Sequence, residues 1–370
     1  MPITSVTPIA ISLPMKKPVI MAGEEVRRAD NMLVRIETDD GRIGWGEAAS
    51  APTMTGDTLE SLVAAVHHLA PMLIGRDPRD LDGAMRAMHG RLYGNNGAKA
   101  AMEIALLDLA AQAAQCPLHA LLGTKRRDRI PLLGVIGGGD FDDDLQDAAK
   151  KKSEGFTAFK IKVGIDTPAR DAERTRASCE VLGGEGVISA DANQGFSREE
   201  SLAYVRAVEG AGLTFFEQPL AADDLDGMAE VAAATSIAIG ADEGIHALAD
   251  IREHNVRKVR GVSLKAIKLG GVCALSEAGQ LCAELGMAVN ISCKTGESSI
   301  ACAAALHAAC VIPALDWALT LTHTGLAADV TRNPIPTARG QVAALNAIGL
   351  GATADEDLIA RHRVAISPRS

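Results

Sequence analysis

Apolar and polar residues follow two different rhythms along this chain, and the change falls near Ile130. Before it, Val34, Ile36 and Thr38 alternate with Arg35 and Glu37, the period of a half-buried strand. Asp40-Gly41 is the residue pair of a tight hairpin turn, and Ile43-Gly44-Trp45 begins a return strand. Leu59, Leu62, Val63 and Val66 then recur at helical spacing, as do Ala101, Ile104, Ala105 and Leu109. Gly123 stops a short helix over 118–122. Strands followed by helices predict an α+β unit over residues 1–125.

Beyond Ile130, short apolar stretches alternate with helical ones. The predicted strands are 132–136, 158–163, 187–191, 213–217, 237–241, 261–265, 288–293 and 315–319, with helices over 170–182, 199–211, 248–254 and 275–285 among the connections. This pattern predicts a parallel (β/α)7-8 barrel of the TIM type over residues 126–328. An open doubly wound sheet is the rival architecture. Residues 329–370 are rich in Pro, Gly and Arg, and are expected to leave the barrel and pack on the N-terminal unit.

Composition narrows the function classes. Hydrophobic residues make up 47% of the 370 and aromatics 3%, so the core is aliphatic and alanine-rich. The formal net charge of -10 and the lack of a basic run argue against a nucleic-acid partner. None of the seven cysteines forms a C-x-x-C pair, which argues against a zinc site or disulfide framework and for a reducing, cytoplasmic compartment. The N-terminus shows no basic segment followed by an apolar one, so no signal peptide is expected. The alanine-rich stretch 98–114 carries Glu103 and Asp108 and reads as a buried helix rather than a membrane span.

The chemistry lies where charges end apolar strands. Lys160 and Lys162 share one strand face. Asp191, Glu217, Asp242 and Lys265 each close a different strand. Their separations are 29 (162 to 191), 26 (191 to 217), 25 (217 to 242) and 23 (242 to 265) residues, about one βα unit each. In a barrel such residues converge on the C-terminal face, where active sites form. A lone acid after a strand is as readily a helix cap; five charged strand ends in succession point to a site. Three clustered carboxylates need a cation, and oxygen-only ligation suits Mg2+, with Mn2+ as a substitute. A divalent ion would stabilise the enediolate formed by removing a proton α to a carboxylate. A lysine base must first lose its own proton, and burial or a neighbouring cation favours that loss. Lys160 beside Lys162, and Lys268 near Lys265, supply such cations.

These residues resemble the enolase superfamily. Lys160-Ile161-Lys162, Asp191-Ala192-Asn193, Glu217-Gln218-Pro219, Asp242-Glu243 and Lys265-Ala266-Ile267-Lys268 are similar to the muconate lactonizing enzyme subgroup. Gly44-Trp45-Gly46-Glu47 and Glu297-Ser298-Ser299 extend the likeness over nearly the whole chain. The resemblance implies a cap built from the N-terminal region and C-terminal tail, Mg2+ on Asp191, Glu217 and Asp242, and Lys162 and Lys265 as the acid/base pair. It gives Lys160, Asn193, Glu243, Lys268 and Glu297 supporting places, and it implies a homo-oligomer.

Substrate choice would lie in cap loops over 14–28 and 49–58, where Met21, Met54, Thr53 and Thr55 suit a small ligand or simply pack the loops. A K-x-H pair is missing, which disfavours mandelate-type racemases, and the strand-eight Asp-x-Asp of dipeptide epimerases is matched only by Ala314-Leu315-Asp316. Lys294 is unusual; it either meets an anion at the distal end of the substrate or is a solvated loop lysine. The expected activity is cycloisomerisation, racemisation or epimerisation of a small carboxylate, with dehydration of a hydroxy acid open on the same residues. A Schiff-base aldolase and a non-catalytic metal-dependent binding protein are the rivals.

Overall fold

The computed structural model describes residues 1–21, 24–137 and 140–366, the side chains of residues 20, 21, 24 and 25 excepted. Strand β1 (Ile3–Met21) pairs antiparallel with β2 (Glu24–Thr38), and β2 pairs with β3 (Ile43–Ala49). The expected loop over 14–28 is thus mostly hairpin arm. Periodicity hides β1 because Pro8, Pro14 and Pro18 interrupt it. The sheet tolerates them because β1 is an edge strand whose register shifts between Pro14 and Val19; proline lacks the N–H a central strand needs.

The helix Asn96–Ala114 lies against this sheet with the backbones nearly touching. A Cβ on Gly46 would fall 1.8 Å from the Ala101 carbonyl oxygen, and one on Gly44 2.2 Å from that of Ala105. Only glycine fits at either position, which is why Gly-Trp-Gly-Glu alternates as it does. On the helix's barrel side, the buried Glu103 carboxylate accepts the backbone N–H groups of Val272 and Cys273, capping the helix Val272–Leu285.

Burial pushes the Glu103 carboxyl up to about 7 against the two backbone N–H groups that favour its charge. A raised folded pKa means stability is complete below the unfolded value and falls as pH rises from about 4.5 to about 7. Glu103→Gln should therefore gain on the wild type by roughly 3 kcal/mol between pH 5 and pH 8. Denaturant unfolding at the two pH values checks this, and parallel pH profiles would refute it.

After the short strand β4 (Arg129–Pro131) come eight parallel strands: β5 (Leu133–Ile136), β6 (Ala158–Lys162), β7 (Val187–Asp191), β8 (Phe215–Glu217), β9 (Ala238–Ala241), β10 (Gly261–Leu264), β11 (Ala288–Ser292) and β12 (Leu319–Thr320). Each pairs with its sequence neighbours, and a bridge between Leu132 and Leu319 brings the last back to the first. The sheet is thus a nearly closed barrel, as expected, with helices on the connections. The eighth strand departs from expectation, starting at Leu319 rather than near 315. The apolar run before it supplies Trp317, which stacks on Phe215 at 3.8 Å. Gly240 and Gly261 leave room for that ring: a Cβ on Gly261 would meet it at 2.2 Å.

The C-terminal segment does two things. Strands β13 (Thr337–Ala338) and β14 (Gln341–Ala343) form a small sheet with β4. The helix Glu356–His362 then leads to the cap, where Arg363 bridges Ile11, and Val364 N–H donates to the Ala10 carbonyl at 3.0 Å. No helix among the described residues is long and apolar enough to cross a membrane.

Candidate active site

Register places the site. Lys162 pairs with Asp191 and Asp191 with Glu217, so these three stand side by side at the ends of β6, β7 and β8. Glu217 pairs with Gly240, and Asp242 follows two residues later on the same face. Lys265 directly follows β10. The strands of Lys162 and Lys265 are four apart in an eight-stranded barrel, so the two lysines approach from opposite walls.

Every one of these groups except Lys162 is buried, and the ammonium groups and acids are interlocked. Lys160 donates to Glu217 Oε1 at 2.8 Å and stands 3.5 Å from Asp191. Lys162 donates to Asp191 Oδ2 at 2.7 Å and also to Asn193 Oδ1. Lys265 donates to Asp242 Oδ2. Lys268 holds the other oxygen of Asp242 at 2.5 Å together with the Ser263 carbonyl at 3.0 Å. Asn193 bridges the set by donating to Glu243 Oε1 at 3.0 Å.

The charges set the protonation states. Burial opposes ionisation of Asp191 and Asp242, but the surrounding lysines outweigh it and hold both below the usual carboxylate range. Glu217 is pushed up by burial, with Asp191 and Asp242 adding to the shift. Glu243 rises to about 7 through burial beside the same two acids. Burial pulls the Lys265 ammonium down, yet Asp242, Glu243 and Glu217 more than compensate and keep it protonated. Lys268 goes the other way: burial dominates and lowers it.

In this conformation the carboxylates turn to ammonium groups. Among the described residues no group of three or more His, Cys, Asp or Glu side chains is drawn together tightly enough to hold an ion. The donor set nonetheless fits a hard divalent cation. All three candidates are oxygen donors that repel one another through space. Glu217 Oε2 is buried without a hydrogen bond, because the Lys160 ammonium 2.7 Å away is poorly aligned with it. Asp191, Glu217 and Asp242 are the residues that could hold the ion.

The other expected site residues divide. Glu297 is buried and pushed up to about 8, and its carboxylate accepts the Lys294 N–H at 2.9 Å. Lys294 is itself buried, not a solvated loop residue. Met54 packs on the apolar core of the cap, and Thr55 bonds within its own turn to the Ala51 carbonyl at 3.3 Å. The Met21 side chain lies outside the described residues. With β12 at Leu319–Thr320, the strand-eight position is not Ala314-Leu315-Asp316 but Thr320-Leu321-Thr322.

Several residues that position the site were missed. Gln218 accepts the N–H groups of Asp242 at 2.8 Å and Gly244 at 3.3 Å, locking two acid-bearing turns together. It is held at φ 35°, and Asn193 at 42°, conformations that non-glycine residues rarely adopt. Arg174 donates to the Lys162 carbonyl at 2.6 Å and pairs with Asp171. Glu47 accepts from Asn31, from Ser298 N–H and hydroxyl, and from Ala301 N–H, tying the cap to the start of the helix Ser299–Val311. Only strand-end charge was visible as a signal; Gln218 and Glu47 act through backbone amides distant in sequence.

The chain is similar to known proteins over its length. Residues 144–358 match the family described as "Enolase C-terminal domain-like", and residues 4–123 match "Mandelate racemase / muconate lactonizing enzyme, N-terminal domain". An N-succinyl-L-Arg/Lys racemase of Bacillus cereus is 31% identical over 315 residues, 84% of each chain. The structure of 2-chloromuconate cycloisomerase from Rhodococcus opacus 1CP superposes with TM-score 0.94 at 29% identity, covering 99% of this chain and 100% of that one. A dipeptide epimerase from Cytophaga hutchinsonii, complexed with Mg and the dipeptide D-Ala-L-Val, gives TM-score 0.91 at 29% identity over 98% of both chains. The (β/α) barrel, its N-terminal cap and these likenesses together place the chain in the mandelate racemase / muconate lactonizing enzyme family of the enolase superfamily.

Proposed function

We propose that this protein is a Mg2+-dependent isomerase that moves the proton α to a carboxylate of a small acid. The observation that carries the reading is the pairing of Lys162 with Asp191 and Lys265 with Asp242 on opposite walls of one barrel mouth, with Glu217 between them. Mg2+ held by the three acids would supply positive charge to the substrate carboxylate as it gains electron density. One lysine takes the proton from one face of the α-carbon, and the other returns a proton to the opposite face. Asn193 orients Lys162, and Lys268 and Gln218 orient Asp242. Asn96 of the N-terminal unit donates to the Lys268 carbonyl at 2.6 Å, tying that unit to the segment that carries Lys265 and Lys268.

Racemisation or epimerisation uses both transfers, whereas cycloisomerisation shares only the enediolate and its protonation by one lysine; the known racemase, epimerase and cycloisomerase relatives support both. The test is a panel of carboxylic acids incubated in D2O with Mg2+. Uptake of deuterium at the α-carbon, with inverted or cyclised product, is expected for some members. A metal-independent reaction would overturn the Mg2+-dependent reading, and a covalent adduct trapped by borohydride would replace it with a Schiff-base aldolase.

A further inference from the structure

Four of the five lysines at the barrel mouth have an acidic partner: Lys160, Lys162, Lys265 and Lys268 each donate to Asp191, Glu217 or Asp242. Lys294 does not. It is 9% exposed, yet its ammonium makes no hydrogen bond or ion pair among the described residues. Burial lowers its pKa; Glu297 opposes this, and the charges of Lys265 and Lys162 add to the lowering. Glu297 is a weak counter-charge, because burial pushes its own carboxyl up to about 8. Lys294 therefore stands beside Lys265 and Lys162 as a largely buried side chain whose ammonium still reaches solvent and has no direct counter-ion, an arrangement that favours an arriving anion.

A second observation points to the same place. Thr320 Oγ1 is buried without a hydrogen-bond partner, and the residue is 6% exposed. Thr320 pairs with Ser292, and one residue beyond the paired Leu264 and Ile291 come Lys265 and Ser292. Alternation along β11 turns Asn290, Ser292 and, one step further, Lys294 toward the same side. Thr322 reinforces the turn by donating to the Lys294 carbonyl at 2.8 Å. A free hydroxyl thus stands at the Lys265 level with an unpaired ammonium above it. Neither can serve the metal, which the three acids at the ends of β7, β8 and β9 would hold.

We infer that Lys294 and Thr320 form a subsite for a second anionic group of the substrate, so that the acid taken by this site is a dianion with one carboxylate toward the three acids and a second toward Lys294. This rests on the functional reading above and goes beyond it in naming the substrate's charge. An ammonium-bearing substrate would be repelled here. Lys294 is a specificity residue in this account and takes no proton in the reaction.

The experiment is calorimetric binding with Mg2+ present, needing no turnover. The probes are the dicarboxylates malonate to adipate, each against the monocarboxylate of equal carbon number. The wild type should bind at least one dicarboxylate about tenfold or more tightly than its partner, the scale of a charge-assisted contact. In Lys294→Met the two should differ by no more than about twofold, with monocarboxylate and Mg2+ affinity unchanged and circular dichroism intact. Thr320→Val should weaken the dicarboxylate alone. No preference in the wild type, or a preference that survives Lys294→Met, overturns the subsite. Failure of every acid to bind would instead sink the functional reading and the subsite with it. Normal α-proton exchange in variants lacking Lys162 or Lys265 would sink that reading alone.

Discussion

Replacing Lys162 or Lys265 by alanine is expected to slow exchange of the substrate's α-hydrogen by about 100- to 10,000-fold, the usual contribution of a positioned acid or base. The fold should survive both changes, because each partner acid keeps another cation. Without Lys162, Asp191 still has Lys160 at 3.5 Å. Without Lys265, Asp242 still has Lys268 at 2.5 Å. The side chains also lie at the open end of the barrel, above the apolar plug made by Phe215 and Trp317. Loss should appear in the turnover rate, with Mg2+ affinity nearly unchanged. Deuterium exchange followed by NMR, with circular dichroism as the folding control, checks this. Near wild-type exchange in both variants would remove their proposed roles.

Replacing Glu217 by glutamine should weaken Mg2+ binding by at least about 100-fold, since disturbing a residue that merely orients a ligand already costs about 10- to 100-fold. Glu217 is the middle acid, fully buried, and carries an oxygen with no hydrogen bond. Glutamine keeps its shape and removes its charge. The wild type should melt at higher temperature as Mg2+ is added, because an ion bound only by the folded state stabilises it by about 2.7 kcal/mol at a hundred times its Kd. In Glu217→Gln the same concentrations should leave the melting temperature flat. An unchanged Mg2+ response would count against Glu217 as a ligand.

Much of this was legible in the sequence, for a physical reason. A buried parallel strand is a short apolar run, so a charge at its end stands out; Asp191, Glu217, Asp242 and Lys265 are visible in that way. Strand β7 was bounded correctly because Val187 to Asp191 contains no competing signal. Elsewhere local pattern lost to tertiary context. Three prolines masked β1, which survives as an edge strand with an irregular register. The apolar run 315–319 predicts the eighth strand too early, since such a run can plug a barrel, as Trp317 does, as readily as pair in it. That shift moved the strand-eight position from Asp316 to Thr320 and Thr322, exchanging an acid for hydroxyls. The contacts of Glu47 and Gln218 depend on backbone amides from other elements, which no spacing encodes.

For the proposed chemistry, the three acids must leave their lysines to share one cation. Diffraction from crystals soaked in Mn2+, recorded at the manganese absorption edge, tests it most directly. A single anomalous peak among the carboxylates of Asp191, Glu217 and Asp242 is the expected result. No peak there, with Lys160 and Lys265 still bound to these acids at saturating metal, would contradict it.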